Sequence, residues 1–277
     1  MIARRPITSY FCLTFAISWS AALAVTAPKL LQGEPISKTA GILMFPAMLL
    51  GPSLSSLLMT RLVDGSQGIR ELFRRIIRVR LRWTWYALLL LPPAVVLAVL
   101  LALKTFISAA FTPNRFFLGI AFGVPAGVLE ELGWTGFVFP RMQARLGTLN
   151  AGVLLGLLWS AWHLPVIDFL GAATPHGHYR MAFFFSFATA MTAVRILIGW
   201  AYTNTKSVFL AQLIHISSTA GLVIFSPSEV TPRQEAFWYF VYGAVLWIIL
   251  ASGGLALRRA GRRTVSQVSG NRSAALK

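Results

Sequence analysis

Apolar positions in this chain do not alternate with polar ones; they run on. Eight stretches, residues 7–27, 40–62, 83–103, 116–140, 149–170, 181–203, 207–225 and 236–257, are each apolar enough to be read as a helix spanning a bilayer, which takes about 20 such residues. Polar positions gather between them. The pattern predicts an all-α, polytopic membrane helical bundle of about eight transmembrane helices, with no soluble domain, long linker or internal repeat. Arg4 and Arg5 precede the first run, as in a signal peptide, but the run exceeds the 7–15 residues of a typical signal core, and Pro28 follows it. It reads as an uncleaved first helix.

Lys and Arg fall unevenly around these spans. With an even number of spans both ends share one side, and that side collects eighteen basic residues, among them Arg4, Arg5, seven arginines between 61 and 82, Arg141, Arg145 and the tail; the other side holds six, and Arg195 lies inside a span. The positive-inside rule then places both termini in the cytoplasm. Composition agrees: 56% of residues are hydrophobic and 12% charged, against roughly 25% charged in a soluble domain. A net charge of +17 would suggest nucleic acid in a soluble protein. Here its placement makes it a topology signal, and the expected partner is the lipid bilayer of the cell membrane, not nucleic acid. Residues 61–83, RLVDGSQGIRELFRRIIRVRLRW, interleave arginines with Leu, Ile and Phe and are also expected to form an amphipathic helix on the anionic inner surface. The tail from Arg262 is polar and expected to be irregular. Cys12, the single cysteine, excludes an internal disulfide framework and a CxxC metal site. The domain reading is therefore 1–115, three helices with the Arg-rich loop; 116–257, a helical core; and 258–277, a basic cytoplasmic tail.

Ionisable groups inside a bilayer are expensive and default to functional hypotheses. The intramembrane set is short: Glu130, Glu131, His163, Arg195 and His215. At 1.5 Å per helical residue, Glu130, His163, His215 and Arg195 lie roughly 15, 21, 12 and 12 Å from the cytoplasmic ends of four different spans. They share one slab and are expected to converge on one polar pocket. Adjacent glutamates are about 100° apart on a helix, so one can face the pocket while the other pairs with an arginine such as Arg195 or Arg141. A carboxylate and a histidine can activate a water, while a second histidine and a hydroxyl donate to an oxyanion. One Glu with two His also makes a three-ligand catalytic set for a divalent metal such as zinc. Both routes lead to hydrolysis of an acyl or peptide bond. The chain has no HExxH, GxSxG or Walker A sequence. GPSLSS at 51–56 reads as a helix-packing or bend element, Asp168 lies near an outer helix end, and His176 and His178, in TPHGHYR, read as residues of a solvated outer loop rather than as a metal-binding pair.

Three segments resemble the CPBP (CAAX protease and bacteriocin-processing, Abi) intramembrane proteases, whose eukaryotic branch is the type II CAAX prenyl endopeptidase. EELGWT at 130–135 is similar to the family's EExxxR, WSAWH at 159–163 to FxxxH with Leu164 and Pro165 following, and HISST at 215–219 to HxxxN. Order and spacing agree over residues 116–219. Thr135 stands where the family has Arg, Trp159 where it has Phe, and Thr219 where it has Asn; Arg195 or Arg141 is expected to supply the missing charge. The resemblance implies an intramembrane endopeptidase acting on membrane-associated peptide or protein substrates. Glu130 is then the general base, His163 holds and polarises the water, His215 and Thr219 stabilise the oxyanion, and Glu131 orients or neutralises its neighbours. Members have been described both as metalloproteases, which would make Glu130, His163 and His215 metal ligands, and as metal-independent glutamate proteases. Two rival readings use the same pocket: a non-catalytic binding or immunity-type protein, and a proton-coupled transporter. The transporter lacks the expected repeated halves.

Overall fold

The computed structural model describes the backbone of residues 4–274 and the side chains of residues 4–254. Its elements are α1 (Pro6–Leu31), α2 (Lys38–Met48), α3 (Leu50–Ile76), α4 (Trp83–Tyr86), α5 (Leu91–Phe106), α6 (Gly119–Gly133), α7 (Phe139–Trp162), α8 (Arg180–Thr205), α9 (Val208–Phe225) and α10 (Pro232–Ala274), with no strand among the described residues. A backbone in hydrocarbon has no water to bond, so each crossing segment must close its hydrogen bonds internally. Among the described residues, six stretches are long and apolar enough to cross a membrane: Pro6–Leu31, Lys38–Ile76, Trp83–Phe106, Gly177–Thr205, Val208–Phe225 and Pro232–Gly254. The protein is a multi-pass membrane protein.

The two expected spans outside that set, 116–140 and 149–170, are broken helices. α6 stops at Gly133 and gives way to one π-helical turn, Trp134–Val138, before α7 begins. α7 kinks at Gly147, where φ is 75°. It ends at Trp162, short of the expected Leu170, because Pro165 lacks an N–H and its ring opposes the carbonyl four residues back; residues Leu164–Phe169 continue as a 3₁₀ helix. Such interruptions at membrane depth are tolerated where protein surrounds them, and Trp134–Val138 is wholly buried. α3 likewise kinks, at Gly65, within the Arg-rich segment. Helical backbone continues through Ala274, which corrects the expectation of an irregular tail. No proline follows Pro232, and the segment is rich in Ala, Leu and Arg, all good helix formers. The side chains of the basic tail, from Arg258 on, lie outside the described residues.

Small residues set the helix spacing, as expected where lipid gives no hydrophobic drive to association. On α1 the buried positions are Tyr10, Thr14, Ser18, Ala22 and Thr26, every fourth residue. This seam meets α2 and α3, and the Ser18 hydroxyl donates to the Met48 carbonyl at 2.7 Å. On α6, Gly119, Gly123 and Gly127 repeat the same spacing against α9: a Cβ on Gly123 would lie 2.8 Å from the Ile216 carbonyl oxygen, and one on Gly127 would lie 2.8 Å from that of Gln212. On α7, Gly152 and Gly156 press on Ile196 and Thr192 of α8. These two seams carry the costly residues of α6 to α9 and those of α7 to α8. The 51–56 segment packs as expected, with Ser53 and Ser56 donating to the carbonyls of Leu129 and Leu132 at 2.8 and 2.6 Å. That pins α3 to the stretch of α6 holding the glutamates.

Candidate active site

Glu130 and Glu131 end α6 one turn before the π segment, and both are buried. Their surroundings differ. Both oxygens of Glu131 are taken: Oε1 accepts from Arg195 Nη2 at 2.8 Å and from His215 Nδ1 at 2.7 Å, while Oε2 accepts from Arg195 Nη1 at 2.9 Å and from the Thr135 hydroxyl. Arg195, from the middle of α8, is 0% exposed, as is Glu131, so this is a bidentate, fully desolvated ion pair. Glu130 is held on one side only. Its Oε2 accepts the indole N–H of Trp159 at 2.7 Å and that of Trp134 at 3.1 Å. Its Oε1 has no protein donor among the described residues.

The histidines can be assigned tautomers from their partners, because carbonyls and carboxylates only accept. His163 caps α7, and its Nδ1 lies 2.8 Å from the Trp159 carbonyl oxygen; Nδ1 therefore carries the hydrogen and Nε2 the lone pair. His215, on α9, donates from Nδ1 to Glu131, which leaves its Nε2 for the site. Trp159 sits among them. Its ring meets those of His163 and His215 edge-on, with centroids 5.5 and 5.0 Å away, and Arg195 Cζ lies 4.4 Å over its face. Four helices thus bring Glu130, Glu131, His163, Arg195 and His215 into one cluster.

Two of the expected residues make no hydrogen bond to it. Arg141 pairs with Asp64 and donates to the Phe137 carbonyl at 2.7 Å, tying the start of α7 to α3. Thr219 lies one turn beyond His215 on α9, half-buried and without a hydrogen-bond partner among the described residues. Of the two arginines expected to replace the motif's missing charge, Arg195 is the one on Glu131. Thr135, where that charge was missing, gives Glu131 a hydroxyl instead. Among the described residues no group of three or more His, Cys, Asp and Glu side chains could hold a metal ion. Glu130, His163 and His215 are not gathered as ligands.

Pattern reading overlooked the two indoles. Trp134 was discoverable, since residues four apart on a helix are neighbours; Trp159 was not, because its partner lies on another helix. The reading of His176 as a solvated loop residue is corrected. It is buried, stacked on Phe183 at 3.9 Å, with Nε2 3.3 Å from Glu235 Oε2 and Nδ1 3.8 Å from Asp168 Oδ1. Glu235 folds this loop over by accepting the backbone N–H groups of Ala172 and Ala173, both at 2.8 Å. His178 remains exposed.

Residues 111–221, which contain all three motifs, match a family model described as type II CAAX prenyl endopeptidase Rce1-like. The chain is also similar to CAAX prenyl protease 2 of Methanococcus maripaludis, 25% identical over 253 residues that span 86% of this chain and 91% of the relative. The resemblance read from EELGWT, WSAWH and HISST is borne out by both.

Proposed function

We propose that the protein is an intramembrane endopeptidase of the cell membrane that hydrolyses peptide bonds of membrane-associated substrates with a water activated by Glu130. The match to an endopeptidase family supports the reaction class. The observation that carries the choice of base is the unequal state of the two glutamates: Glu131 is saturated by four donors, whereas Glu130 keeps Oε1 open. Oε1 takes a proton from the water as the oxygen attacks the scissile carbonyl. The Nε2 lone pair of His163 accepts the water's second hydrogen and orients it. The tetrahedral oxyanion forms on the side of His215 and Thr219. Donation from His215 Nε2 requires the imidazolium form, for which the Glu131 carboxylate on Nδ1 is the counter-ion. Protonated Glu130 then gives its proton to the leaving amine, and the peptide bond breaks. No step is routed through a metal.

Substrates of this site are peptides held at the membrane, and the prenylated CAAX terminus for which the methanogen relative is named belongs to that class. The test is cleavage by the purified full chain in lipid vesicles, offered prenylated CAAX peptides and transmembrane peptides side by side. Cleavage of either by wild type and of neither by Glu130→Gln is expected. Equal rates with both enzymes would overturn the assignment.

A further inference from the structure

We propose that Trp159 is the positioning residue of Glu130: its indole N–H, together with that of Trp134, locks one carboxylate oxygen so that the other is presented to the reacting water. The proposal rests on the hydrolytic reading above and adds to it the device that aims the base. A carboxylate on a free side chain rotates, and either oxygen can face the reactants. Here both indoles, which are donors only, converge on Oε2 at 2.7 and 3.1 Å, and none reaches Oε1. Trp134 and Trp159 are 0% and 2% exposed, so water does not compete for these bonds. Trp134 is further held by edge contacts with the rings of Tyr10 and Trp162.

Trp159 links the rest of the site as well. Its carbonyl receives His163 Nδ1–H at 2.8 Å, which leaves the lone pair on Nε2. Its ring lies against His163 and His215, and its face carries the Arg195 guanidinium. The donor is the separable part. A phenylalanine at 159, the residue of the motif, keeps a ring but has no N–H. The backbone bond to His163 survives that change, because it belongs to the helix end rather than to the side chain. Trp159→Phe therefore removes the shorter of the two bonds that hold the Glu130 carboxylate while leaving the imidazole of His163 bonded.

The experiment uses the full chain in vesicles with the best-cleaved peptide, and compares wild type, Trp159→Phe, Trp134→Phe, and a chain with 3-benzothienylalanine at 159, whose sulfur replaces the N–H at nearly the same shape. A hydrogen bond to a charged group is worth about 10- to 100-fold. kcat is expected to fall by that factor in Trp159→Phe and equally in the sulfur analogue, with KM within about twofold. Trp134→Phe is expected to lose less, because its bond is longer. Wild-type kcat in both Trp159 variants, or recovery of kcat by the sulfur analogue alone, overturns the role of the N–H. Glu130→Gln is run beside them: if it is inactive while the Trp159 variants are normal, only the positioning role falls; if it is fully active, the hydrolytic reading falls too. A readout without substrate is the indole ¹⁵N–¹H resonance of Trp159, expected to move upfield in Glu130→Gln, whose amide oxygen is a weaker acceptor. An unmoved resonance overturns the bond itself.

Discussion

Glu130 and Glu131 are neighbours on α6, yet the same substitution has opposite meanings at the two positions. Glu130→Gln keeps an oxygen for the two indoles and loses only the ability to take a proton. Cleavage should drop roughly 10²–10⁴-fold, with a melting temperature near that of wild type. Glu131→Gln removes the partner of a buried guanidinium. Breaking a fully desolvated pair costs about 3–5 kcal/mol, so this variant should melt well below wild type. The cycle with Arg195→Met separates the two effects. The single Arg195→Met also strands a buried charge, while the double variant removes both members of the Arg195–Glu131 pair and should recover most of the lost stability. Additive losses in the double variant, measured by denaturant unfolding, would show that the two side chains are not coupled.

On the scale of the helices, the site exists because two glycine seams let backbones approach. A Cβ at Gly127 would stand 2.5 Å from Ile216 Cγ1 and 2.8 Å from the Gln212 carbonyl oxygen, so Gly127→Ala pushes α6 away from α9 and pulls Glu131 from His215. Overpacking of this kind costs about 1–3 kcal/mol, and activity should fall further than the folded fraction does. Gly147 is the matched contrast. Nothing lies within 4 Å of a Cβ there, but φ 75° with ψ 167° is a conformation only glycine adopts readily, at a cost of order 1–3 kcal/mol for other residues. Gly147→Ala should lower stability by a similar amount and leave the activity of the folded protein unchanged. Cleavage assays normalised to folded protein distinguish the two. The π turn is fastened from outside by Arg75, in the last turn of α3, which donates to the Gly136 carbonyl at 3.1 Å and to the Tyr202 hydroxyl at 2.7 Å.

For the whole molecule, the eighteen-to-six division of basic residues predicts a single orientation, with both termini and the turn after α8 on the cytoplasmic side. Reporter fusions at Asn204 and at Lys277 should both register cytoplasm; an outer signal at either defeats the topology and the eight-span count with it. The cluster's lack of a gathered ligand group has a consequence on the same scale. Exhaustive chelation followed by dialysis should leave the cleavage rate within about twofold, since proton transfer by Glu130 needs only a positioned carboxylate. Loss of cleavage that zinc restores would refute a metal-independent site.

Membrane insertion, helical class and the short roster of costly residues were legible in the chain alone. Run length and charge placement are one-dimensional quantities, and the expense of burying a charge in lipid makes each exception conspicuous. The three motifs added the order of the chemistry. What the linear pattern left undecided was division of labour. That Arg195 rather than Arg141 meets Glu131, that the Trp159 indole holds Glu130, and that His176 is buried under a loop tied to Glu235 all depend on contacts between residues 29 to 64 positions apart. Such contacts follow from how closely helices approach and at what rotation. Both are decided by the glycine seams and the breaks at Gly133 and Pro165, and no periodicity within a single helix encodes them.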